Sequence, residues 1–239
     1  MNSNVMHFIS PRFRGIFFSI AFIVLLGSCM DEADNFVTEP VEVAYVSIYH
    51  ASPDAPDFDI IVDNRTINTN PFDYASYSGY LNFFTGDRSI KFNSVNANNA
   101  LIDTTFNFEE GKAYSLFAVD RLSNIEALLV IDSASAPSTG KAMARFVHLS
   151  PDASAFDISI PGETGSPLFA NKAFKQATDF QEIDAKSYTF EVKNAGGSEV
   201  ILSAEDINIL PGRYYTIITR GFANPPEGNT NVLSVEVID

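Results

Sequence analysis

After residue 42, apolar and polar residues alternate with a period of two over many short runs. Val46, Ile48 and His50 alternate with Ser47 and Tyr49, while Ala144, Phe146 and His148 alternate with Arg145 and Val147. This period marks a strand with one buried face. Runs of this kind predict strands near 43–50, 57–63, 79–84, 88–95, 101–108, 113–119 and 125–131. A second series is predicted near 142–149, 156–160, 178–183, 187–194, 198–204, 213–221 and 231–238. Gly79, Gly86, Gly111, Asn96–Asn99 and Asn194-Ala195-Gly196-Gly197 stand where turns are needed. The one helical candidate is Ala170–Gln176.

The alternation is duplicated. His50-Ala51-Ser52-Pro53-Asp54-Ala55, followed by Phe58-Asp59-Ile60, returns as His148-Leu149-Ser150-Pro151-Asp152-Ala153, followed by Phe156-Asp157-Ile158. Proline fixes φ and the Asp side chain accepts bonds from nearby backbone N–H groups, so each Ser-Pro-Asp-Ala reads as a turn between two strands. Weaker blocks follow in step. Tyr80-Leu81-Asn82-Phe83 aligns with Phe180-Gln181-Glu182-Ile183, and Gly111-Lys112-Ala113-Tyr114 aligns with Gly212-Arg213-Tyr214-Tyr215. The expected fold is all-β: two tandem immunoglobulin-like or Greek-key β-sandwich domains, spanning 43–132 and 142–239. Residues 133–141, small, polar and Pro-bearing, read as a linker.

The pattern His-x-Ser-Pro-Asp-Ala, an apolar-Asp-apolar strand and Gly-x-x-Tyr resembles a tandem bacterial envelope module, the domain of unknown function 4397. The resemblance runs from about Ala44 to Asp239. It implies paired β-sandwiches on secreted or anchored proteins, and it carries no catalytic residues. The second copy departs from the pattern where Ser154 and Ala155 stand in place of Pro56 and Asp57.

The N-terminal region places the chain in the cell envelope. Arg12 and Arg14 precede an apolar run from Ile16 to Leu26, which is shorter than a membrane span and reads as a signal peptide over 1–28. Leu25-Leu26-Gly27-Ser28-Cys29 resembles a lipobox, so Cys29, the sole cysteine, is the expected lipidation site. Stable attachment takes more than one acyl chain, which a mature lipoprotein supplies. Residues 29–42 form the lipidated tether. Met30 after the cysteine fits sorting to the outer membrane, and the acidic run Asp31-Glu32-Ala33-Asp34 points to the cell surface, with the periplasmic face as the alternative.

Charge then narrows the partners. Removing 1–28 takes two arginines and no acids, leaving 13 Lys+Arg against 30 Asp+Glu, a net charge of 13 − 30 = −17. Nucleic acid is excluded, since phosphate contacts need clustered cations. With Cys29 lipidated, no disulfide can staple the fold, and apolar cores must hold it. The expected partners are the membrane, through the anchor, and an envelope protein or glycan.

Candidate chemistry is thin. The repeated His50 and His148, with Ser52, Pro53, Asp54 and Asp59 and their counterparts Ser150, Pro151, Asp152 and Asp157, read as structural motif residues. Neither serine is placed to meet its histidine as a nucleophile would. Asp54, Asp57, Asp59 and Asp63 hint at a hard cation, but the second copy keeps only two of the four, and no metal or cofactor is assigned. Tyr74, Tyr77 and Tyr80 suggest a sugar platform, against which Tyr80 aligns with Phe180 and reads as core. Phe222, in a Pro-rich loop, is the expected exposed contact. The sequence thus favours a non-enzymatic binding or scaffold lipoprotein. An envelope hydrolase acting on polysaccharide or peptide, or an accessory subunit of an outer-membrane uptake or secretion machine, are the alternatives.

Overall fold

A computed structural model describes residues 41–163 and 165–239. Cys29, the signal peptide and the tether up to residue 40 lie outside the described residues. The first half holds β1 (Val43–His50), β2 (Phe58–Val62), β3 (Arg65–Thr66), β4 (Tyr77–Phe84), β5 (Gly86–Ser94), β6 (Ala100–Phe108), β7 (Ala113–Val119) and β8 (Glu126–Ile131). The second holds β9 (Lys141–His148), β10 (Phe156–Ser159), β11 (Phe169–Lys172), β12 (Gln181–Asp184), β13 (Ser187–Asn194), β14 (Val200–Asn208), β15 (Tyr214–Arg220) and β16 (Ser234–Ile238).

Each strand of the first half has a counterpart in the second, and the sheets repeat. Inner sheets run β4-β1-β7-β8 and β12-β9-β15-β16; outer sheets run β3-β2-β5-β6 and β11-β10-β13-β14. In both inner sheets the central pair is parallel, β1 with β7 and β9 with β15. Inward residues match as well. Val46, Ile48, Phe58, Ile60 and Phe92 fill the first sandwich, and their counterparts Ala144, Phe146, Phe156, Ile158 and Val192 fill the second. Burial of such side chains contributes roughly 1.5–3 kcal/mol each.

β3 and β11 were absent from the predicted strands, being short. The helical candidate Ala170–Gln176 is corrected: it is the end of β11 and the turn after it, with Phe169 and Lys172 paired to β10. Helix propensity is a weak prior that sheet pairing overrides.

A larger correction concerns β1 and β9. The alternation predicts one buried face, yet nearly every residue of both strands is buried. The reason is a third core. Tyr49, Ala51, Phe117 and Val119 of the first sandwich pack with Val147, Leu149 and Ile218 of the second. The inner sheets therefore cover each other, and Pro40–Asp239 forms one compact unit.

A polar knot sits in this seam. Arg145, 1% exposed, reaches Asp132 Oδ1 with Nη1 at 2.6 Å. Its Nε donates to Thr216 Oγ1 at 2.9 Å and its Nη2 to Ser115 Oγ at 2.8 Å. The guanidinium lies 4.5 Å over the ring of Phe180. Asp132 Oδ2 accepts from Tyr80 at 2.6 Å and from Ser115 at 2.8 Å. Both charges are thus bonded on several sides, the condition under which a buried pair repays its desolvation.

Breaking this knot should be costly. Arg145→Ala is expected to lower unfolding free energy by about 3–5 kcal/mol in denaturant titration. Arg88→Ala, which removes a half-exposed pair with Asp63, should cost under about 1 kcal/mol. Equal effects of the two substitutions would contradict this account of the seam.

Candidate functional site

The repeated motif is built alike in both copies. His50 ends β1, is fully buried, and stacks on Phe58 with ring centres 4.1 Å apart. His148 ends β9, is fully buried, and stacks on Phe156 at 4.7 Å. Nε2 of His50 meets Pro56 O at 3.2 Å, and Nε2 of His148 meets Ser154 O at 2.9 Å. A carbonyl only accepts, so Nε2 carries the proton in both. Nδ1 of His148 accepts from the Ser150 N–H at 3.2 Å, which fixes the same tautomer. Ser154 in place of Pro56 leaves the contact intact, because the backbone oxygen makes it. Burial lowers both pKa values, that of His50 to about 4.

The other motif residues also hold backbone. Ser52 Oγ donates to Asp120 O and Ser150 Oγ to Gly221 O, each at 2.6 Å. Asp54 accepts from Leu122 N at 2.7 Å; Asp152 accepts from Ala223 N at 2.7 Å and Asn224 N at 2.9 Å. Asp59 accepts from Asn96 N at 3.1 Å; Asp157 accepts from Asn171 N at 2.7 Å and Gly196 N at 2.9 Å. The Pro53 carbonyl accepts the Asn229 and Asn231 amides at 3.0 and 2.7 Å, tying the first motif to the second sandwich. Serine and histidine here are bonded to main chain and buried, an arrangement with no activated nucleophile.

Two residues that the motif's serines grip were not foreseen. Asp120 and Gly221 follow β7 and β15 and both have positive φ, 74° and 84°. A Cβ on Gly221 would stand 2.2 Å from Val232 O. Gly221 occurs in the sequence as a glycine just past a strand, a usable signal; Asp120 gives none.

The concave candidate is a cleft of about 210 Å³ at the seam. Tyr77, Tyr80 and Ser115 of the first sandwich face Phe180, Tyr214 and Thr216 of the second. Phe180 and Tyr214 meet edge to face at 5.7 Å. Tyr80 is 46% exposed and Tyr214 39%, so the expectation of Tyr80 as core is corrected. Its hydroxyl pKa is raised by burial and by Asp132. At the rim Arg213 Nη1 pairs with Asp239 at 3.3 Å. Both nearby carboxylates, Asp132 and Asp239, are paired with arginines, so the cleft presents no two free acids facing each other.

Other sequence candidates disperse. The acids Asp54, Asp59 and Asp63 hold separate partners, Asp63 binding Arg88 and the Ser89 N–H. Among the described residues, no three His, Cys, Asp or Glu side chains are grouped to hold a metal. Tyr74 leaves the platform and packs edge-on to His50 at 5.9 Å. Phe222 is corrected: it is fully buried, with the Arg121 guanidinium 4.8 Å over its ring, and cannot be an exposed contact. Its backbone bonds to Asn231 and Leu233 fold the Pro-rich loop over it.

Comparison with known proteins gives a family and distant shapes. The family model described as Domain of unknown function (DUF4397) matches residues 44–159, from β1 through the second motif into β10. No curated protein matches. Among solved structures, the Bacillus anthracis TIE protein is 12% identical with a TM-score of 0.25, covering 76% of this chain and 34% of its own. The chain thus spans about a third of that protein. The CBM26-family module CBMbc of Eubacterium rectale Amy13K, solved with maltoheptaose, is 13% identical with a TM-score of 0.26, covering 81% of this chain and 96% of its own. Scores this low equate neither fold nor function.

Two outcomes follow from the motif. Neutral histidines contribute stability in full above pH 6.5 and lose it as pH falls below that value, for His50 down to about 4. NMR titration should find both imidazoles titrating below the ordinary value of 6.5, His50 near 4; a midpoint above 6.5 for either contradicts the buried geometry. Gly221→Ala should destabilise by more than about 1 kcal/mol in thermal melts, because φ and space both oppose it.

Proposed function

Residues 44–159 carry a domain of the DUF4397 family, and from that premise we propose a non-enzymatic lipoprotein of the cell envelope, a binding or scaffold module. Lipid on Cys29 holds it to the outer membrane, facing the cell surface. The seam cleft is the contact for an envelope protein or glycan. One observation carries the reading: the motif side chains that bear hydrogen-bonding chemistry in both copies are bonded to main chain, and the concave site offers paired rather than free acids.

The exposed rings suit recognition. Tyr80 and Tyr214 combine an apolar face with a polar tip and stand on rigid strands on opposite sides of the cleft. Their environment is electrically balanced, with arginine and carboxylate paired both at the rim and beneath. Such a cleft favours a neutral or amphipathic group over a strongly charged one.

Metabolic labelling with a fatty acid should mark the wild-type protein and leave Cys29→Ser unmarked; label on Cys29→Ser would contradict the anchor. Co-purification from membranes in mild detergent should recover a partner that Tyr80→Ala with Tyr214→Ala reduces at least several-fold. An unchanged yield with the double variant would remove the cleft from the binding surface.

A further inference from the structure

The duplication supplies an internal comparison, and the inner sheets differ at one end. Across β1 and β4, Val43 pairs with Phe84 and Tyr45 with Asn82. The equivalent pairs across β9 and β12 are Lys141 with Asp184 and Met143 with Glu182. In the second sandwich Lys141 Nζ and Asp184 Oδ1 close at 2.6 Å, a solvated cross-strand ion pair, and Met143 is buried. In the first, Phe84 is 61% exposed and Tyr45 42%. Directly paired residues share a sheet face, so Val43, Tyr45 and Phe84 make an apolar patch with the exposed Asn82 beside them. Val41, 65% exposed, adjoins it in sequence. Charges of both signs border it: Glu42 bonds Thr85 and Lys112 O accepts from the Tyr45 N–H, while Asp63, Arg65 and Arg88 line a depression with Phe84.

The patch belongs to the copy that the anchor-bearing segment joins. Val41 lies twelve positions after Cys29, a reach of at most roughly 40 Å even fully extended. We propose that Val41, Val43, Tyr45 and Phe84 are the lipid-facing surface of the protein, entering the head-group boundary of the membrane that holds the anchor. The proposal rests on the Cys29 anchor. Rings with an apolar body and a polar tip suit that boundary. The equivalent end of the second sandwich, which the chain reaches only after the first, keeps charged residues. The patch acts as the second membrane signal beside the acyl chains, fixing how the sandwiches stand on the surface.

The chain contains no tryptophan, so a single introduced one reports alone. The full-length lipidated protein carrying Phe84→Trp is placed in phosphatidylcholine vesicles with brominated acyl chains. Its emission should shift to the blue and be quenched by bromine several-fold more than that of Asp184→Trp. Tyr45→Trp should behave as Phe84→Trp does. Solvent-like, unquenched emission from vesicle-bound protein overturns the patch and leaves the anchor standing. A blue shift without bromine quenching also overturns it, because protein rather than lipid then covers the patch. Failure of the wild-type protein to float with vesicles removes the anchor and the patch together.

Discussion

Burying both faces of β1 and β9 governs the molecule. A sandwich needs only one face of each sheet for its own core; here the second face of each inner sheet meets its counterpart. Tyr49, Phe117, Val147, Leu149 and Ile218 leave water there together. An arginine placed among them must be paired, and Arg145 is, through Asp132, Ser115, Thr216 and the Phe180 ring. Asp132 comes from the first sandwich and Arg145 from the second, so neither half satisfies its charge alone. Further ties cross the same seam: Tyr49 to Glu236, and Lys175 to Asp120 and Glu126.

The motif serves that constraint. Its histidine closes the turn after the central strand, its serine holds the positive-φ residue after the parallel neighbour, and its aspartate caps the loop beyond. The residue between histidine and serine, Ala51 or Leu149, lies in the shared core. Each motif thereby fixes the ends of β1 with β7, or β9 with β15, where the two sandwiches meet. Polar side chains used in this way are stabilising because their partners are buried main-chain groups that would otherwise go unpaired.

Much of this was legible in the chain and some was not. Period two located most strands to within a few residues, because those strands bury Val, Ile and Phe on alternate positions. The motif was legible as a turn, yet its partners were not: Ser52 and Asp120 are far apart in sequence and joined only by the fold. Arg145 stands at an outward position of the alternation, where Ser47 stands in the first copy and where a cation reads as solvated; only the packing of the two inner sheets buries it. Phe222 read as exposed because Pro225 and Pro226 follow it, whereas the loop folds back over its ring. Tyr80 was misplaced by its alignment with Phe180. The equivalence of the two is real, but both line the cleft at the seam rather than a sandwich core.

If the seam is a true core, the two sandwiches unfold together. Scanning calorimetry of the mature protein at neutral pH tests this most directly. A single transition is expected, with calorimetric and van't Hoff enthalpies equal. Two resolved transitions, or a calorimetric enthalpy about twice the van't Hoff value, would show that each sandwich melts by itself and would contradict the account.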